Sequence, residues 1–207
     1  MICRCSTQIE VPKGQIIHVA GTRDSSIYYI AKGSVRFVCN SIEGNEKTLY
    51  ILGENNFFNE EILFQPYEIA VDAICNEACA LWKIDSYVHQ ELLKDQEFVR
   101  EICRGVIRKK ELLQKEIRDI SFLSCKQRIL RILTDACDRE HPEEQSWYDV
   151  KQRYTHQELA SLIGANRVTV SKLMAELCEE KKIRSRGRRV QVHCDVADSL
   201  STGQQIF

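Results

Sequence analysis

The residues with most chemistry to offer lie between 155 and 177, in THQELASLIGANRVTVSKLMAEL. Arg167, Val168, Thr169, Ser171 and Lys172 sit together there. Their hydroxyl and cationic groups can donate hydrogen bonds to phosphates and to the edges of bases. No nucleophile elbow, P-loop, HExxH or GxGxxG occurs in the chain, so no enzyme is expected. The carboxylates of Asp72, Glu60 and Glu61 are better read as solvated turn residues than as an acid–base set.

Such residues need helices to aim them. Thr155 and Glu158 form an S/T-x-x-E capping box, which starts a helix whose apolar side is Leu159, Ala160, Leu162 and Ile163. Gly164 ends it, and Asn166 can cap a second helix. Val170, Leu173, Met174 and Leu177 give that second helix an i, i+3, i+4, i+7 stripe. The polar and basic residues fall on its other side. A turn this short suits a crossed pair of helices rather than an antiparallel one. KKIRSRGRR follows, with Lys181, Lys182, Arg184, Arg186, Arg188 and Arg189 within nine residues. Gly187, set between Ile183 and the alternating Val190 and Val192, reads as the turn of a β-hairpin. Arg186 and Arg188 on that hairpin are expected to touch phosphates beside a groove. A short strand over WYDVKQRY, two helices and a hairpin make a winged helix-turn-helix, so duplex DNA is the expected partner.

The rest of the chain must carry and control that element. Residues 8–85 alternate short β-branched and aromatic runs with Gly14, Gly21 and Gly33 at turns, as in a β-barrel or sandwich. From Ser86 the period becomes helical. A short helix precedes a long one over 97–120, in which Val99, Val106, Leu113 and Ile120 recur every seven residues and Phe98, Ile102, Leu112 and Ile117 widen the stripe. Gly105, Lys109 and Glu116 interrupt it, so it is not an ideal zipper, but a homodimer seam is the expectation. ISFLSC is the expected hinge, and CKQRILRILTDACDREH a further helix. The tail DVADSLSTGQQIF carries little signal. The expected domains are 1–96, the dimerisation helix 97–120, a hinge at 121–124, and a DNA-binding domain at 125–207.

Composition narrows the setting. The 207 residues carry 29 Lys+Arg against 30 Asp+Glu, and no run approaches membrane length. The start, MICRCSTQIEVPKG, lacks an apolar h-region, so a cytoplasmic address is expected and no membrane partner. Ten cysteines are many, but no C-x2-C pair occurs, so no metal site is expected and most should be reduced, small buried hydrophobes.

On SSIYYIAKGSVRFV, LGENNFFNEEILF and above all QELASLIGANRVTVSKLMAEL, nearly the whole chain resembles the CRP/FNR transcription factors. The resemblance implies an α+β protein: an N-terminal β-roll (a jelly roll of the cyclic-nucleotide-binding type), a long dimerisation helix and a C-terminal winged helix-turn-helix. It implies a homodimer on an inverted repeat, with RNA polymerase as a further partner. It places Val168, Ser171 and Lys172, with Arg167, at the bases, and Thr155, Gln157 and Asn166 at phosphates. Many members carry Glu where this chain has Val168. Valine can only pack on a thymine methyl, so an A·T-rich site is expected. The Val-Thr-Val-Ser run is most similar to the chlorinated-phenol-responsive members.

In cyclic-nucleotide-binding members a Gly-Glu pair and an Arg-Ser/Thr pair hold the ribose and phosphate. Here Asn59 replaces the Gly, Glu60 is kept, and the Arg position falls on Ile69. A buried phosphate would lack its counter-charge, so cyclic AMP is not the expected ligand. The expected effector is a small organic molecule, an aromatic acid among the candidates, lined by Phe58, Glu60, Tyr67 and Ile69. The alternative is thiol-redox control, with Cys3 or Cys5 pairing with Cys178 or Cys194, or an iron–sulfur cluster, which the N-terminal cysteine spacing matches poorly. Haem would need an axial ligand such as His18 or His89, each read as a lone surface histidine. A β-barrel enzyme or scaffold would have no use for the basic wing.

Overall fold

The computed structural model describes residues 6–64, 68–140, 146–187 and 189–202. Two compact units divide between Ile117 and Arg118. Among the described residues, eight strands build the first: β1 (Ser6–Val11), β2 (Ile16–His18), β3 (Ile27–Lys32), β4 (Val35–Asn40), β5 (Glu46–Leu52), β6 (Phe57–Phe58), β7 (Asp72–Cys75) and β8 (Cys79–Ile84). They form two antiparallel four-stranded sheets, ordered β1-β8-β3-β6 and β2-β7-β4-β5. Strands close in sequence are divided between the two sheets, which makes the expected β-roll. Tyr28, Ile30, Phe58 and Leu81 from one sheet meet Val35, Phe37, Leu52 and Ala73 from the other in one core. The turn between β3 and β4 needs Gly33. Its φ is +89°, and a Cβ there would lie 2.5 Å from the Ala78 carbonyl oxygen and 3.0 Å from Cys79 Sγ.

A 3-10 turn over Glu60–Leu63 follows β6, and another over Ser86–Val88 leads into the short α1 (His89–Leu92). The long α2 runs Gln96–Phe122. Ser121 and Phe122, expected in the hinge, are its last two residues; the helical pattern breaks at Leu123 and Ser124.

The apolar stripe of α2 divides into buried and exposed residues. Phe98 and Ile102 are buried with Ile27, Phe57, Leu63, Ile84, Val88 and Leu92, and Leu112 packs on the roll's core. They belong to the first unit's interior, not to a dimer seam. Lys109 and Glu116 continue that inward face at helical spacing. Lys109 pairs with Glu60, and Glu116 lies 2.6 Å from Lys47 on β5. Two of the three residues that spoil a zipper, Lys109 and Glu116, therefore clip the helix to the roll. Val106 and Ile107 remain exposed, as do Ile117, Ile120 and Phe122 further along.

The second unit holds α3 (Cys125–Asp135), β9 (Trp147–Asp149), α4 (His156–Ile163), α5 (Arg167–Glu179), β10 (Ile183–Arg186), β11 (Arg189–His193) and α6 (Cys194–Thr202). The strands form a sheet ordered β10-β11-β9. Ser124 caps α3 in a reciprocal box with Gln127. The core gathers Ile129 and Leu133 of α3, Leu159 and Ile163 of α4, Val170, Met174 and Leu177 of α5, and Ile183 and Val192 of the hairpin. The tail carries more structure than its composition suggests: α6 buries Ala197 in this core.

Candidate nucleic-acid interface

The α4–α5 pair is locked locally before it is locked by packing. Thr155 Oγ1 accepts from the Glu158 N–H at 3.1 Å, and the Thr155 N–H donates to Glu158 Oε2 at 2.7 Å. Gly164 sits in the left-handed region at φ 68°, where a non-glycine residue would be strained, and lets the chain turn into α5. Asn166 then accepts from the Thr169 N–H at 2.8 Å and caps the second helix.

With Val170, Met174 and Leu177 turned inward, α5 presents Arg167, Val168 and Lys172 outward at its N-terminal end. Val168 is 79% exposed. It does not belong to the core of the unit. Ser171 is half-buried beside them. Its Oγ lies 2.8 Å from Nδ1 of His156 on α4 and donates to the Arg167 carbonyl at 3.0 Å. Sequence reasoning misses His156, because a histidine after a helix cap carries no signal of its partner.

The flanking residues are less uniform. Gln157 and Asn166 are exposed. The Thr155 hydroxyl proton goes to Glu158 Oε2 at 3.0 Å, so reaching a phosphate would mean exchanging that bond. Arg186 is exposed at the end of β10, and Arg188 lies outside the described residues. Much of the basic cluster expected at the wing is engaged within the unit. Lys182 lies 2.8 Å from Glu180, Arg189 is 2.9 Å from Asp149, and Arg184 stacks over Trp147 at 4.5 Å.

The sensor-side residues occupy the first unit. Phe58 is fully buried, stacked on Tyr28 at 5.0 Å and edge-on to Phe37 and His18. Ile69 is buried, and its main chain hydrogen-bonds Gly21 and Thr22. Tyr67 lies outside the described residues. Glu60 is 2% exposed and Lys109 8%, and the two form a buried ion pair. Burial pushes the Glu60 carboxyl up, and the Lys109 ammonium offsets part of that rise.

His18 and His89 are not surface residues; both are buried. Burial pulls both imidazoles down, against the nearby carboxylates of Asp24, Glu61 and Asp72 for His18 and against the Ile84 backbone and Asp85 for His89. Cys3 and Cys5 lie outside the described residues. Cys178 is exposed and Cys194 half-buried, and desolvation pushes both thiols up.

Comparison with known proteins agrees with this geometry. Residues 8–96 match the cyclic nucleotide-binding domain and residues 127–197 the Crp-like helix-turn-helix domain. A CRP-like cAMP-activated global transcriptional regulator of Mycobacterium tuberculosis is 24% identical over 185 residues, covering 89% of this chain and 83% of that protein. A solved CRP/FNR-family transcriptional regulator from Thermus thermophilus is 25% identical, with a TM-score of 0.73 over 95% of this chain and 98% of its own. The c-di-GMP-responsive global regulator CLP of Xanthomonas campestris shares the fold at a TM-score of 0.80 and 21% identity, over 91% and 94%. The chain thus joins a β-roll of the cyclic-nucleotide-binding type to a Crp-like helix-turn-helix, the two domains of a CRP-like DNA-binding transcriptional regulator. The relatives are regulators rather than enzymes.

Proposed function

We propose that the protein is a homodimer that reads an A·T-rich inverted repeat through α5, with a small organic effector in the β-roll setting the orientation of the DNA-binding unit. The carrying observation is the outward N-terminal face of α5, where exposed Val168 sits with Arg167 and Lys172. An apolar side chain with donors beside it matches a major groove in which a thymine methyl adjoins base and phosphate acceptors. Arg167, Val168, Ser171 and Lys172 read bases, while Gln157, Asn166, Thr155, Arg186 and Arg188 hold the backbone. The exposed Val106, Ile117 and Ile120 of α2 supply the dimer seam, and RNA polymerase is the further partner.

The effector reading rests on the roll. Ile69 stands where nucleotide-binding members place the arginine for the cyclic phosphate, and Glu60 already holds a counter-ion in Lys109. An anionic aromatic acid would compete with the Glu60 carboxylate for that ammonium. Cyclic AMP would find no guanidinium at Ile69. Thiol control is less well supported, because a thiol pushed up holds less of the reactive thiolate at neutral pH.

Selection of bound sequences from a random duplex pool tests the reading. It is run with and without a thiol reductant, beside a thermal-shift screen of cyclic AMP and aromatic acids. An A·T-rich inverted repeat, unaffected by reductant and sharpened by an acid that raises Tm, is expected. Enrichment only with cyclic AMP would overturn the effector assignment, and enrichment in no condition the DNA reading.

A further inference from the structure

The contact between the two helices of the reading element carries information beyond packing. Two groups meet Ser171 Oγ: His156 Nδ1 at 2.8 Å and the Arg167 carbonyl oxygen at 3.0 Å. A hydroxyl has one proton and two lone pairs. A carbonyl can only accept, so the contact with Arg167 consumes the Ser171 proton. The contact with His156 must then run the other way, with Nδ1–H donating into a lone pair of Oγ. Were the ring proton on Nε2 alone, the hydroxyl would turn to Nδ1. Oγ and the Arg167 carbonyl would then face each other with no proton between them, which is unfavourable. The arrangement that satisfies both contacts leaves Ser171 one lone pair and no proton.

We propose that His156 is a positioning residue that fixes Ser171 as a pure acceptor, so that this step of recognition selects a base carrying an amino group in the major groove, cytosine N4 or adenine N6. The inference rests on α5 being the groove-reading helix. The fold supplies what the role demands. His156 is the first residue of α4, held in register by the Thr155–Glu158 box, and Ser171 lies one turn along α5 from Arg167. Without an N–H donor beside it the Ser171 hydroxyl can leave the Arg167 carbonyl and donate to guanine O6 or thymine O4, whereas an Nδ1–H filling one lone pair holds the hydroxyl proton on the carbonyl. His156 removes that ambiguity without touching DNA itself.

The test uses the full-length chain and duplex selection. The base step that Ser171→Ala flattens is the one Ser171 reads. At that step the wild type should prefer cytosine or adenine. It should lose about tenfold in affinity when the base is replaced by its analogue lacking the amino group, 2-pyrimidinone or purine. His156→Leu should fold normally, flatten the same step, and bind natural base and analogue within about twofold. His156→Asn, whose side-chain N–H sits near the position of Nδ1–H, should restore the preference. A His156→Leu protein with the wild-type preference, or a Ser171→Ala protein with no altered step, would overturn the proposal while leaving α5 as the reading helix. Wild-type protein that enriches no sequence would overturn both.

Discussion

The buried ion pair of the β-roll unit and the outward cations of α5 use charge in opposite ways. In the β-roll unit, Glu60 and Lys109 are buried and satisfy each other, and Glu116 and Lys47 pair at the roll's surface. In the DNA-binding unit, Arg167 and Lys172 project from a helix whose other side is the core. A buried pair carries a desolvation cost that only the partner offsets, so losing one member is a folding event. An outward cation costs folding little, so its loss is felt by the partner molecule. Substitutions should therefore report as stability in the first unit and as binding in the second.

The largest effect should come from Lys109→Ala, which strands the Glu60 carboxylate. Urea unfolding should show a loss of about 3–5 kcal/mol, and the Glu60→Gln/Lys109→Met double variant a smaller one. A loss below about 1 kcal/mol would mean the pair behaves as a surface bridge and the contrast fails. Gly33→Ala should cost about 2–4 kcal/mol, combining left-handed backbone strain with collision against Ala78, and should leave the second unit intact. Lys172→Ala should weaken specific DNA binding by about 1–3 kcal/mol while unfolding changes by less than about 0.5 kcal/mol. An equal loss on random DNA would make it a phosphate contact. Thr155→Ala should cost about 1 kcal/mol through the cap.

The smallest effect is a slope with pH. Burial holds His18 below its ordinary 6.5, so the unfolded chain takes up the proton first. Stability is then complete above that value and falls as pH drops below it, by at most about 1.4 kcal/mol per pH unit. His89 adds in the same sense. His18→Leu should flatten the thermal profile between neutral and mildly acidic pH, and an unchanged profile would show that His18 is not involved.

How much could be read from sequence follows the same division. The capping box, Gly164, the Asn166 cap and the α5 stripe are local patterns with fixed spacing, and the structure repeats them residue for residue. Strand spacing made a β-barrel or sandwich legible, and the family resemblance narrowed it to a β-roll. What sequence concealed were pairings across distance. Lys109 and Glu60 are 49 residues apart, so Lys109 read only as a fault in a zipper. Phe98 and Ile102 fit the seven-residue stripe as well as Val106 does, and only the presence of the roll beside α2 decides which way each faces. Arg189 added to a basic run, while its counter-ion Asp149 lies 40 residues away on β9. His156 gained its role from a helix crossing that no periodicity encodes.

Base reading by the N-terminal face of α5, with Val168 at its centre, is what the proposed function stands on. The most direct measurement is duplex selection with Val168→Glu beside the wild type. Glutamate accepts from cytosine N4 where valine meets only a thymine methyl. The substitution should move preference from A·T towards C·G at one step in each half-site and leave the other positions unchanged. An unaltered base preference, at whatever affinity, would contradict it.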